Sequence, residues 1–179
     1  MSHYRPRPKK LGHLVLKVTD IQRSLDFYTE VVGLQVSDWI DGHMVFLRSG
    51  VDHHDLALLQ MPPADLAAFV PGRSPVEHFS YQVESVAELE KIAEMLAARG
   101  IEIDRGIGRH GPGGNSFLVF RDPDGNNVEY YSDMIQVGEE HPPHVPAVWD
   151  GSRLETFDVW RLEHFLVDPP ERIRKLLDK

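Results

Sequence analysis

Residues Phe117–Tyr131, FLVFRDPDGNNVEYY, read as two β-strands joined by a tight turn. Phe117 to Phe120 form one β-prone apolar run, and Val128, Tyr130 and Tyr131 form another. Between them, Asp122-Pro123-Asp124-Gly125 has the chemistry of a turn, because proline presets φ and glycine accepts a positive φ. Glu129 alternates in direction with Val128 and Tyr130, so its carboxylate is aimed at one face of the strand. On an isolated strand that face would simply be open to water. If the face is covered, the carboxylate needs a partner.

Working outward, the upstream chain holds the same pattern twice. Leu11–Val18 is a strand in which Leu14, Leu16 and Val18 point one way and His13, Val15 and Lys17 the other. Thr19 or Asp20 then caps a helix over Ile21–Val32 that Gly33 stops. Leu34–Ile40 and His43–Arg48 make a hairpin across Asp41-Gly42, and His54–Gln60 is a further strand. After a proline-rich loop over Met61–Pro75 the pattern restarts. Val76–Val83 is a strand carrying His78, Ser85 caps a helix through Arg99, and Gly100 closes it. Ile101–Asp104 is expected as a short strand, Gly106–Gly114 as a glycine-rich loop, and the opening hairpin follows. Self-similarity of this kind predicts an α+β fold of tandem βαβββ modules, about residues 10–60 and 76–132, forming a curved mixed sheet within one domain over 1–132.

Composition limits the chemistry. An apolar share of 41% and a charged share of 26% are those of an ordinary soluble globular chain. The net charge of −9 argues against nucleic acid or an anionic membrane as partner. No cysteine is present, so thiolate nucleophiles, disulfides and cysteine-rich zinc sites are excluded. Any metal must be held by nitrogen and oxygen. The N-terminus has no apolar core of a signal peptide and no run has membrane-spanning length, so a cytoplasmic protein is expected.

A lone strand histidine is more often solvated than ligating. The repeat changes that balance, because His13 and His78 hold equivalent places in the two modules and Glu129 stands in the last strand of the second. Two imidazoles and one carboxylate form a facial triad with open coordination positions, which suits non-haem Fe(II), while Mn(II) and other metals that take nitrogen and oxygen also fit.

The segments GHLVLKVTDIQRSLDFYTEVVGL, HHDLALL, EHFSYQV and RHGPGGNSFLVFRDPDGNNVEYY resemble the vicinal-oxygen-chelate superfamily, and within it the type I extradiol catechol dioxygenases. The resemblance spans about residues 10–132. It implies a metal held by His13, His78 and Glu129. It further implies that His54 is an acid–base group beside bound oxygen and that His110 hydrogen-bonds a substrate oxygen. The implied substrates are O2 and a catechol, such as catechol itself or a 2,3-dihydroxybiphenyl. Val119 stands where that family usually has a tyrosine reaching a catechol hydroxyl, and valine cannot donate a hydrogen bond. Tyr81, Tyr130 and Tyr131 are the alternatives, and spacing does not choose among them.

Three rival functions have less support in the residues. A glyoxalase-like lyase or isomerase wants a fourth protein ligand on the strand holding Leu56, Ala57 and Leu58, where no acid follows Asp55. A fosfomycin-type thiol transferase leaves His54 and His110 without a role, and a non-catalytic binding module needs no ligand set. Residues 133–179 lie outside the repeat. Trp149, Phe157, Trp160 and Phe165 predict an arm packed on the domain or across a subunit interface, with a helix over Glu171–Leu177. A homo-oligomer is expected from this aromatic surface.

Overall fold

In the computed structural model, which describes residues 9–138, 140–141, 144–167 and 171, the βαβββ order occurs twice. The first unit, Met1–Val70, contains β1 (Leu14–Val18), α1 (Ile21–Glu30), β2 (Gln35–Ile40), β3 (Met44–Arg48), β4 (Leu56–Gln60) and the short α2 (Pro63–Leu66). The second, Pro71–Lys179, contains β5 (Phe79–Gln82), α3 (Val86–Ala98), β6 (Ile103–Arg109), β7 (Ser116–Arg121), β8 (Asn127–Ser132) and α4 (Leu154–Phe157). Each unit carries a four-stranded mixed sheet, ordered β1-β4-β3-β2 in the first and β5-β8-β7-β6 in the second. The first and last strands of each unit pair in parallel, and the other neighbours are antiparallel. The α+β architecture of two βαβββ modules is therefore the observed one.

Local chemistry explains the elements. Asp20, rather than Thr19, caps α1, its carboxylate accepting from the Arg23 backbone N–H at 3.0 Å. The helix buries Leu25 and Tyr28 against its sheet, and Gly33 ends it at φ 81°. In the second unit α3 buries Leu89, Ala93 and Leu96 at helical spacing. The turn between β7 and β8 is locked by Asp122. Its Oδ1 accepts from the backbone N–H of Asp124 at 3.0 Å and of Asn126 at 2.8 Å. Gly125 sits at φ 81°, where a Cβ would lie 2.6 Å from the Gly72 nitrogen, so this turn admits no side chain.

Two expectations need correction. His13, His54 and His78 lie one or two residues before β1, β4 and β5, not within them. The first part of the expected glycine-rich loop, Gly106–Arg109, is strand, since β6 runs through Gly106 and Gly108, and only the remainder is loop. Glycine ordinarily weakens a strand, yet here neighbouring groups fill its space. A Cβ on Gly106 would meet the Phe117 carbonyl at 2.7 Å, and one on Gly108 would meet the Phe165 ring at 2.7 Å. Register shifts at both sides of Gly106 accommodate the close approach.

The chain beyond β8 returns to β6. The Val159 and Leu166 N–H groups donate to the carbonyls of Arg109 and Gly106, both at 2.7 Å. The expected helix over Glu171–Leu177 lies outside the described residues beyond Glu171. Among the described residues no helix is long and apolar enough to cross a membrane.

Candidate active site

The register of the second sheet sets Ser80, Glu129, Val119 and Arg105 side by side across β5, β8, β7 and β6, on one face. Glu129 is only 4% exposed. Its Oε1 accepts from the Ser80 hydroxyl at 2.8 Å, and its Oε2 faces His78 Nε2 at 3.7 Å, beyond hydrogen-bond reach. The other ring nitrogen of His78 is hydrogen-bonded to the Glu77 carboxylate, which also accepts from Arg105 Nη2 at 2.7 Å. Burial would raise the Glu77 pKa, but the hydrogen bonds from His78 and Arg105 outweigh it and hold the group below its ordinary value. Two donors each about 2.1 Å from one ion can stand no more than about 4.2 Å apart. The 3.7 Å separation of His78 Nε2 and Glu129 Oε2 therefore fits a shared metal ion.

Beside this pair is a cavity of about 190 Å³ lined by His110 and the rings of Phe117, Phe157 and Phe165. The His110 ring lies flat on Phe117, with centroids 4.0 Å apart and planes 9° from parallel. His110 Nδ1 is 3.0 Å from the Phe157 carbonyl oxygen. Burial is the main cause holding the His110 pKa below its ordinary value. The Phe157 carbonyl and Glu129 oppose that shift, while Arg105 and His78 add to it.

In the first unit, the His13 and His54 rings pack 4.7 Å apart, and Phe46 lies 5.0 Å from His54. His53 Nδ1 stands 3.0 Å from His54 Nδ1, and His53 Nε2 stands 2.8 Å from Asp38 Oδ2. A carboxylate only accepts, so a neutral His53 carries its proton on Nε2 and accepts at Nδ1. His54 Nδ1–H then donates to His53, leaving His54 Nε2 with a free lone pair. In this sheet the row matching that of Glu129 is Val15, Ala57, Phe46 and Asp38.

The structure thus brings His78, Glu129 and His110 together in one unit, and His13 and His54 in the other. Within either unit, among the described residues, no group of three or more His, Asp or Glu side chains could hold a metal. Sequence reasoning missed Glu77, Arg105, Asp38 and His53 as neighbours of the expected residues. The adjacency of Glu77 to His78 and that of His53 to His54 were the available signals. Strand parity also sorts the tyrosines. Tyr131 shares the Glu129 face, whereas Tyr130 and its cross-strand partner Tyr81 lie on the other, with Tyr130 stacked on Phe120.

Comparison with known proteins points the same way. The Glyoxalase/Bleomycin resistance protein/Dioxygenase superfamily profile matches residues 10–130. "Metapyrocatechase 2" of Cupriavidus necator is 33% identical over 77% of this chain and 41% of its own length. "Biphenyl-2,3-diol 1,2-dioxygenase 2" of Rhodococcus globerulus is 32% identical over 73% of this chain and 66% of its own. The chain therefore spans under two thirds of either relative. An extradiol ring-cleaving dioxygenase from B. fuscum superposes with a TM-score of 0.69 at 18% identity, covering 83% of this chain and 78% of that one, a likeness of fold.

Proposed function

The chain belongs to the Glyoxalase/Bleomycin resistance protein/Dioxygenase superfamily, and on that footing we propose that it is an extradiol dioxygenase opening a catechol-type ring with O2. Fe(II), or Mn(II) in its place, would be held by His13, His78 and Glu129. The observation that carries the reading is a nitrogen and oxygen donor set accompanied in each unit by a histidine outside it. The His54 ring packs 4.7 Å from that of His13, tilted by 50°, and His110 shares the cavity of His78 and Glu129. The first sheet supports three ligands over four, because fully buried Ala57 occupies the row position that Glu129 holds in the second. That weighs against a glyoxalase-like site.

When bound, Fe(II) supplies the redox chemistry by which both atoms of O2 enter the ring-opened product, a muconic semialdehyde. The protein's residues manage position and protons. His54, with its free lone pair on Nε2, takes a proton from one catechol hydroxyl and returns it as the ring opens. His110 meets the second substrate oxygen. Phe117, Phe157 and Phe165 form an apolar wall that excludes water from the reacting ring. Glu77, clamped by Arg105, fixes the ring of His78 by holding its Nδ1.

The test is a panel of catechols offered with O2 to iron-loaded protein prepared anaerobically. A yellow ring-opened product is expected. Bound iron with no such product from any catechol would overturn the reading. We also propose a homo-oligomer, with the exposed edge strand β2 and its Val36, Trp39 and Ile40 as the contact surface. A light-scattering mass of one 20.4 kDa chain at micromolar concentration would refute it.

A further inference from the structure

Residues 149–166 touch the candidate site at its least expected place. β6 is an edge strand, and the arm is tied to it on both sides of His110. Gly111 N–H donates to the Thr156 carbonyl at 3.2 Å, Val159 N–H to Arg109 and Leu166 N–H to Gly106. Asp158, 1% exposed, anchors the arm by accepting from the Arg109 N–H and the Trp160 N–H, both at 3.1 Å, and from the Leu162 N–H. The glycines of this stretch make room for it. A Cβ on Gly111 would lie 2.5 Å from the Trp149 ring. Phe157, the residue whose carbonyl reaches His110, sits directly before the Asp158 anchor.

A backbone carbonyl has no proton to give, so the His110–Phe157 hydrogen bond has one polarity: His110 Nδ1–H donates. The second nitrogen of a neutral His110 is then an acceptor. We propose that the C-terminal arm is part of the catalytic apparatus, its Phe157 carbonyl acting as a positioning group that sets His110 to accept a hydrogen bond from a substrate hydroxyl through Nε2. The family resemblance implies only that His110 hydrogen-bonds a substrate oxygen, and this polarity makes it a proton acceptor toward a neutral catechol. Stacking on Phe117 removes the remaining freedom of the ring, since rotation about its plane would break either the stack or the carbonyl contact. This inference rests on the dioxygenase reading for the identity of the hydroxyl, whereas the coupling of arm to tautomer stands without it.

The experiment uses the full chain with 15N-labelled histidine, and compares it with Asp158→Ala, Asp158→Asn and Gly111→Val. Asp158→Ala removes the anchor, and Gly111→Val drives a side chain into Trp149. In the unaltered protein the 15N spectrum should show His110 as a single tautomer protonated at Nδ1. In variants whose Val159 and Leu166 amides have lost protection from hydrogen exchange, both tautomers should appear. In those variants kcat toward the best catechol should fall about tenfold or more while metal affinity changes little, the scale known for orienting partners of metal-ligating histidines, and KM should rise because Phe157 and Phe165 leave the cavity wall. Asp158→Asn, which keeps one acceptor oxygen, should recover part of the rate. A His110 protonated at Nε2 in the unaltered protein would overturn the proposal. So would a freed arm with unchanged tautomer and rate. If no catechol turns over while the arm variants still release the tautomer, the dioxygenase reading fails and the arm coupling stands.

Discussion

The two units share one strand order and one helix placement, and they differ most in a single row of side chains. Across the first sheet the row is Val15, Ala57, Phe46 and Asp38, and across the second it is Ser80, Glu129, Val119 and Arg105. Ala57 is wholly buried where Glu129 is 4% exposed, yet both strands fold alike. The backbone is thus carried by the apolar pattern of the flanking rows, while this row decides whether a unit adds a carboxylate to the histidines at its strand ends. The outer edges differ as well. β6 is buried over Arg105–Gly108, beneath the returning arm, whereas β2 leaves Val36, Trp39 and Ile40 exposed.

The most disruptive way to break the contrast is Glu129→Ala, which gives the second row the residue of the first. The chain should still fold, as Ala57 shows such a row tolerates alanine, but bound metal and turnover should drop to background. Metal analysis beside a thermal melt checks this, and an iron-loaded variant would remove Glu129 from the ligand set. Next in size is His54→Ala, which should keep its iron and lose roughly 10²–10⁴-fold in turnover, the usual worth of a general acid–base group. Iron content and rate measured on the same preparation decide it, and near-normal turnover would strip His54 of its role.

A smaller effect is expected from His53→Ala. The His53 side chain is 57% exposed, so its loss should leave stability alone. Without it, the His54 tautomer is no longer set, and turnover should fall about tenfold. An unchanged rate would confine His53 and Asp38 to the surface. The smallest concerns pH. His110 titrates below its ordinary 6.5 in the folded chain, burial being the largest cause. As pH falls, the unfolded chain binds the proton first. The contribution is fully present above about 6.5 and is lost as pH drops from there toward the folded value. Urea midpoints at pH 7.5 and pH 5.5 should diverge less in His110→Gln than in the unaltered chain, and equal divergence would remove His110 from the acid response.

The sequence made the turn at Asp122–Gly125 legible because its signals are local: proline, glycine and an Asp side chain bonding two residues on. The helices were legible for the same reason, through Asp20, Gly33 and Gly100. β6 was not, because Gly106 and Gly108 oppose strand formation until Phe117 and Phe165 fill their space, and Phe165 comes from far along the chain. The same distance hid Phe157 from His110, which meet across 47 residues. Repetition revealed His13 and His78 as a pair. Nothing local marked Arg105, whose meaning depends on the Glu77 carboxylate across the fold.

The tie between Phe157 and His110 also orders events during synthesis. His13, His54, His78, His110 and Glu129 have all been made by residue 129, while the anchor at Asp158 and the Leu166 bond come later. At translation rates of about 5–20 residues per second, that interval lasts roughly 2–7 s. A nascent chain can therefore possess every expected ligand before it possesses the group that orients His110. The residues expected to act are thus made before the contact that orients His110 can close.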